Sequence, residues 1–529
     1  MCADLLFTNG VIRTLDPAHP VAEALAVERG RIVAVGGNSN ILGYRRTGTQ
    51  VIDLQGKALL PGFIDAHQHL IYMGLSFRQV DVTVGAVSSI EDIVGSVRQR
   101  AASTPGDEWI EGRGYHDARL NEKRNPTRDD LDRATPDHPV FLTRVCGHIM
   151  SVNSRALALA GITRDTPDPA GGSIDRDPAT GEPTGVLRET AMQMIRRVVP
   201  LPTPAVLRRA IWEAAEHNLR HGITTVWEPS IEPDQLDVYR ALDSDGEMPI
   251  RVVMAHKKVL RSGEEVPLPE RFTGEWLSLV AVKLFQDGGF GGATAALTDP
   301  YANAPETRGQ LVWDQAGLNE RARAIHQAGL RISIHAIGDA AITSVLDAIE
   351  YATDGAPPGD YRHRVEHCGL ALPGIPERLR RMGVIPVPQP VFLYFDGDVY
   401  MDRVGAERSR WLYPVKTLLD NGLPASGSSD APVVPDINPL LGMYTAVTRR
   451  SRVGRIVAPE EAISVEDALS LYTSRAAYAC GEEHFKGSLS VGKAADLVVL
   501  GDDPLRVSPD DLPNLPVEMV VLDGRVQFP

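Results

Sequence analysis

Short apolar runs broken by glycine occupy both ends of the chain, while the middle alternates apolar runs with amphipathic stretches of helical period. Near the start these runs are Leu5-Leu-Phe, Gly10-Val-Ile-Arg, Arg31-Ile-Val-Ala-Val and Val51-Ile-Asp-Leu. Near the end, Ala495-Asp-Leu-Val-Val-Leu500 and Val517-Glu-Met-Val-Val-Leu522 repeat the habit, and Asp523-Gly after the second is a hairpin signal. The ends therefore predict one small sheet domain built from both termini, residues 1–56 with 481–529. In the middle, the candidate buried strands are Leu59–Asp65, Ile223–Trp227, Ile250–Ala255, Val280–Phe285, Arg331–Ala336, Arg364–His367, Gly383–Val387 and Pro424–Ser428. Helical patterns such as Ala205–His221, Ala316–Ala328, Ala340–Tyr351 and Val415–Asn421 lie between them, with Gly222, Gly329, Gly383 and Gly422 where a left-handed cap is wanted. Strands alternating with helices in this way predict an α/β fold, a (β/α)₈ TIM barrel over residues 57–480. The gap from Asp65 to Ile223 breaks the rhythm, so residues 71–205 are expected to be a large insertion after the first barrel strand, a lid or substrate wall over the active-site face.

Composition narrows this picture a little. The 529 residues suit one large domain plus a smaller one. A formal charge of −15 argues against nucleic-acid binding, which needs Lys and Arg against phosphate. The four cysteines, Cys2, Cys146, Cys368 and Cys480, form no close pair, which fits a reducing cytoplasm better than a disulfide framework or a thiolate zinc site. The first residues lack the pattern of a secretory signal, and no apolar stretch approaches a membrane span, so a cytoplasmic protein without a membrane partner is expected. A homodimer is the base-rate expectation for a soluble oligomer.

The chemistry lies where polar residues meet strand ends. Of the fourteen histidines, His19, His138, His217, His221 and His484 fall on loops, helices or termini and look ordinary. His67 and His69 follow the first strand, and alternation along extended backbone turns both imidazoles the same way. His335, His367 and Asp430 each end a candidate strand, at the face where barrel active sites form. Four histidines and one aspartate thus converge on one rim. Lys283 sits inside the apolar run Val280-Ala-Val-Lys-Leu-Phe285, where a buried ammonium is costly. Either its tip reaches solvent, or CO₂ converts the amine to a carbamate able to bridge two metals.

Pro61-Gly-Phe-Ile-Asp-Ala-His-Gln-His69, Lys283-Leu-Phe-Gln-Asp-Gly-Gly, His335-Ala-Ile-Gly-Asp, Arg364-Val-Glu-His and Gly427-Ser-Ser-Asp-Ala-Pro resemble the amidohydrolase superfamily, and within it the branch typified by N-substituted formamide deformylases. The resemblance spans nearly the whole chain. It takes in Gly147-His148, Asn153-Ser-Arg-Ala-Leu157 and Thr184-Gly-Val-Leu-Arg-Glu189 in the insertion, and Gly492-Lys-Ala-Ala-Asp-Leu in what looks like the superfamily's composite β-sandwich. It departs at Gly288-Gly-Phe-Gly-Gly-Ala293, where many relatives carry a Ser-Leu-Gly-Ser-Arg type of loop.

The resemblance implies that His67, His69 and Asp430 hold one divalent ion, that His335 and His367 hold a second, and that carbamylated Lys283 bridges them. Zinc is the expected metal, with manganese, iron or nickel as substitutes. The implied activity is hydrolysis of a C–N bond in an amide-like small molecule, an N-substituted formamide or another N-acyl amine. In it the ions acidify a water to a pKa of about 7, and Asp430 serves as general base and then acid. His148 is a candidate contact to the substrate oxygen, or equally a structural residue of the insertion. Phe290, Trp227, Phe392 and Tyr394 are candidates for an apolar lining, or simply core; Cys368 reads as packing. Two other readings compete. A single-metal deaminase of a cyclic amidine disagrees with Lys283 and with His335-Ala-Ile-Gly-Asp339, which has no Glu after the histidine. A non-catalytic barrel scaffold disagrees with the full set of candidate ligands.

Overall fold

A computed structural model of the chain describes residues 3–106, 108–144, 147–169, 171–260 and 263–528. Contacts divide it into two compact units, Met1–Met73 with Leu207–Pro529, and Gly74–Val206.

The first unit is built on a seven-stranded parallel sheet: β1 (Phe63–Asp65), β2 (Ile223–Ile231), β3 (Arg251–Lys257), β4 (Leu277–Phe285), β5 (Arg331–Ala336), β6 (Arg364–His367) and β7 (Ile385–Val387), paired in sequence order. β2 and β3 are buried at every residue, as expected when both faces of a parallel sheet are covered. The register sets β4 Lys283 opposite Ser333, and β5 His335 opposite β6 Glu366. Helices Gln315–Gln327 and Asp339–Thr353 carry the connections on either side of β5. The first starts on Asp314, whose carboxylate accepts from Gly317 N–H at 2.7 Å, and is followed by left-handed Gly329. The second buries Ala341, Ile342, Val345, Leu346 and Ile349, one helical face, against Val365 and Ile334. Each Ile or Leu so buried contributes about 1.5–3 kcal/mol.

Two strand expectations need correction. The run Leu59–Asp65 is two strands: Ala58–Pro61 joins a terminal sheet, and only Phe63–Asp65 joins the parallel one. The break falls at Gly62, where a Cβ would lie 2.3 Å from Thr224 Oγ1, so the chain crosses between sheets at the one residue that fits. The expected eighth strand, Pro424–Ser428, forms no ladder. Pro424 has no N–H to give, and a Cβ on Gly427 would meet the Tyr472 ring at 2.6 Å. The segment makes single bonds instead, Ser426 N–H to Pro386 O and Ala66 N–H to Gly427 O, both 3.4 Å. It therefore touches β7 and β1 alike, and the sheet curls until both edges flank it.

The chain ends build two further sheets. One orders Arg31–Gly36, Ala24–Glu28, Leu5–Thr8 and Gln50–Asp53; the other orders Arg525–Phe528, Val517–Leu522, Leu497–Leu500, Ala58–Pro61, Val11–Arg13 and Val21–Ala22. Phe7, Ile12, Leu25 and Ile32 from one end share a core with Leu497, Val499 and Val521 from the other. The second unit has its own six-stranded sheet, which includes Val140–Arg144 and Pro183–Glu189, and two apolar clusters. Among the described residues no helix is long and apolar enough to cross a membrane. Cys368 and Cys480 are free and buried, and burial pushes both thiols up to about 12; Cys2 and Cys146 lie outside the described residues.

Candidate metal centre

The segments carrying His67 and Asp430 interlock through the backbone. Asp65 on β1 accepts from His67 N–H and Ser429 N–H, both at 3.1 Å. Asp430 N–H donates to His67 O at 2.7 Å, and His69 N–H donates to Ala431 O at 2.9 Å. His367 (φ 71°) and Asp430 (φ 57°) both have positive φ, a conformation disfavoured for non-glycine residues and held only where surroundings enforce it.

Of the six side chains named from sequence as ligands, three bring donor atoms together and the others lie beside them. One donor atom each from His67, His367 and Asp430 lie within 4.8 Å of one another. The Nε2 atoms of His67 and His69 are each 3.3 Å from Asp430 Oδ1, and the His335 and His367 rings are 4.3 Å apart. Lys283 is 1% exposed, and its charge is felt by His69, His335 and His367.

Hydrogen bonds fix which ring nitrogen carries the proton. His67 Nδ1 lies 2.6 Å from Glu366 Oε2 and His367 Nδ1 lies 2.7 Å from Gln389 Oε1, so both donate through Nδ1–H and turn an Nε2 lone pair inward. Gln389 is itself oriented by donating to Val387 O and Ser428 Oγ. His335 is the reverse: Nε2–H donates to Gly288 O at 3.0 Å, beside Asp287 at 3.4 Å, which leaves Nδ1 as its free lone pair.

Burial drives the charges. It pushes His335 down to about 3, lowers His69, and holds His367 well below the usual imidazole range. It lowers the Lys283 amine to about 8, against the pull of Glu366 and Asp430. Burial opposes ionisation of Asp430, but the facing His67 and His69 rings outweigh it and hold the carboxyl well below its ordinary value. Among the described residues, His67 Nε2, His69 Nδ1, Lys283 Nζ and Asp430 Oδ1 are buried without a hydrogen-bond partner. Four orphaned polar atoms in one place, three neutral imidazoles and a carboxylate suit a divalent cation of the zinc type.

Sequence reading missed the groups that hold the ligands. Glu366, Gln389 and Asp287 touch His67, His367 and His335 respectively. Glu366 had a signal: Arg364-Val-Glu-His places two opposite charges on one face of a strand buried at every residue. Glu228 on β2 is a further one. Its Oε2 accepts from Ile71 N–H at 3.2 Å and Tyr239 O–H at 3.1 Å, so helix Leu70–Ser76, which begins beside His69, starts against its carboxyl.

Burial raises Glu228 to about 8, so the folded protein keeps a proton that the unfolded chain releases near its ordinary 4.5. The stability this group contributes is present below about pH 4.5 and is lost as pH rises towards about 8. Glu228→Gln, which removes the titration, is expected to be more stable than the native chain at about pH 9, by up to about a few kcal/mol, with the gap closing towards about pH 5. A gap that does not change with pH would refute this.

Trp227 is core, packed with Ile64, Val253 and Val280 and stacked by the Arg364 guanidinium at 3.7 Å. Phe290 and Phe392 share an apolar cluster with Tyr394 against it, and Phe392 stacks 6.3 Å from His367. Cys368 is buried among aliphatic side chains, as packing requires. His148 belongs to the second unit, exposed, with Nδ1 2.9 Å from Glu189 Oε2.

A buried imidazole and carboxylate cluster at the C-terminal ends of a parallel α/β sheet marks a metal-dependent hydrolase. A family model described as "Amidohydrolase family" matches residues 50–528, and the chain belongs to that family. It is 33% identical to the Bacillus subtilis (strain 168) protein YtcJ, whose name places it among amidohydrolases, over 99% of each chain. It is 30% identical to N-substituted formamide deformylase of Arthrobacter pascens, over 99% of this chain and 98% of that one. Among solved structures, an uncharacterized metal-dependent hydrolase from Pyrococcus furiosus matches with a TM-score of 0.79 at 30% identity, covering 95% of this chain and 100% of that one.

Proposed function

We propose that the protein hydrolyses the C–N bond of an amide-like small molecule, an N-substituted formamide or another N-acyl amine, at a two-ion centre. The observation that carries this reading is the set of four buried, unpartnered polar atoms on His67, His69, Lys283 and Asp430. His67, His69 and Asp430 would hold one ion, and His335 and His367 the other. The Lys283 amine, brought towards neutrality by burial, would bridge them as a carbamate. Divalent ions of the zinc type supply an acidified water and polarise the scissile carbonyl. Asp430, ionised and beside both histidines, takes the proton from the attacking water and delivers it to the leaving nitrogen, so that acid and amine are the products. Glu366 and Gln389 keep His67 and His367 in the tautomer that presents Nε2. In this reading residues 424–428 close the curled sheet into a barrel of the (β/α)₈ type, and the two terminal sheets form a composite sandwich. The likeness to a formamide deformylase along its whole length favours the small acyl group.

The test is metal removal. Chelated protein is expected to lose all hydrolysis of a panel of N-formyl and N-acyl amines, and added zinc or manganese to restore it. Metal-loaded protein inert towards the whole panel would overturn the proposal.

A further inference from the structure

The geometry points to Phe285 as a specificity-determining residue that selects substrates with an uncharged apolar substituent beside the cleaved bond; this rests on the amide-hydrolase reading above for the identity of that bond. Phe285 ends β4 two residues after Lys283, and alternation along the strand turns both side chains to the same face. Its ring lies 4.9 Å from Lys283 Nζ and 5.4 Å from the His335 ring. It is nevertheless 36% exposed, whereas Lys283 is 1% exposed. Phe392, the aromatic stacked on His367, differs: it is 3% exposed and spends its faces on core contacts. Phe285 thus leaves apolar surface open directly beside the polar cluster, and apolar walls around a few converging polar groups are how small-molecule sites are lined.

A second open apolar side chain lies beside the other half of the cluster. Val433 is 64% exposed, and its N–H donates to Asp430 O at 2.9 Å. β4 is the middle strand of the seven, and the Asp430 segment follows the stretch that meets the two sheet edges. The exposed apolar groups therefore come from opposite parts of the sheet. A substituent lying over Phe285 would be covered by hydrocarbon, which favours alkyl or aryl groups and penalises a charged one that must shed water.

Calorimetric titration of metal-loaded protein with acetohydroxamate and hexanohydroxamate tests this, because the two share a metal-binding headgroup and differ in alkyl tail. The unmodified protein is expected to bind the longer ligand at least ~10-fold more tightly, the scale of discrimination that apolar contacts supply. Phe285→Ser is expected to abolish most of that advantage and Phe285→Leu to retain most of it, with metal content and circular dichroism the same in all three. No tail preference in the unmodified protein, or a preference intact in Phe285→Ser, overturns the assignment. N-butylformamide and N-formylglycine, tried on the same preparations, separate the two ideas. A Phe285-dependent tail preference without amide cleavage removes the amide reading and keeps the selection. Cleavage indifferent to the tail does the opposite.

Discussion

Asp430→Asn is expected to lower kcat by about 10²–10⁴-fold at saturating metal, the usual contribution of a general acid–base group. Asparagine is the informative replacement because it isolates the charge. Asp430 sits at φ 57° in the loop after residues 424–428, and asparagine is among the few residues that enter left-handed backbone readily. The loop is held by main-chain bonds that the change leaves in place, Asp430 N–H to His67 O and Val433 N–H to Asp430 O. What disappears is the anion that His67 and His69 keep ionised. Because Asp430 is also proposed as a ligand, metal content must be measured beside turnover. Loss of turnover with the metal retained assigns the proton transfer to Asp430. Turnover within a few-fold of the native rate at full occupancy shows that another group carries the proton.

How far the sequence speaks for the site depends on which link each residue belongs to. His67, His69, Lys283, His335 and His367 could be picked out because each is a polar residue at or near the end of an apolar run, and a parallel strand delivers its last residues to one face of the sheet. Their partners carry weaker marks. Gln389 lies past β7 in an ordinary polar position, and only the fold brings it to 2.7 Å from His367 Nδ1. The segment Pro424–Ser428 looks like a strand by apolar content, yet a proline and a glycine packed under Tyr472 deny it a ladder. Leu59–Asp65 looks like one strand because periodicity cannot show that Gly62 must pass against Thr224. Trp227 stayed open between lining and core for a related reason: alternation tells which side of β2 it faces but not how deep it lies, and its ring is spent on Arg364.

That stacked guanidinium leads to the second large effect. Glu366 is fully buried and accepts from four donors: His67 Nδ1–H at 2.6 Å, Ser333 Oγ–H at 2.6 Å, and Arg364 through Nε at 2.7 Å and Nη2 at 3.0 Å. Burial alone would raise its carboxyl, but Arg364 and His67 overcome this and hold it well below the ordinary value. Glu366→Gln sets an NH₂ against two of these donors and strips Arg364, itself fully buried, of its counter-charge. Breaking one partner of such a pair typically costs about 3–5 kcal/mol, so a clear drop in the thermal midpoint is expected. Metal affinity is expected to fall about 10–100-fold as well, because His67 exchanges its carboxylate partner for, at best, a neutral amide oxygen. The two losses have different origins, and a double replacement separates them. Arg364→Met with Glu366→Leu removes both charges, and exchanging a buried ion pair for hydrocarbon is often neutral or stabilising. It is expected to recover most of the thermal midpoint while metal affinity stays low. Recovery of both would mean that Glu366 supports the fold alone and that His67 needs no carboxylate to present Nε2 to the metal.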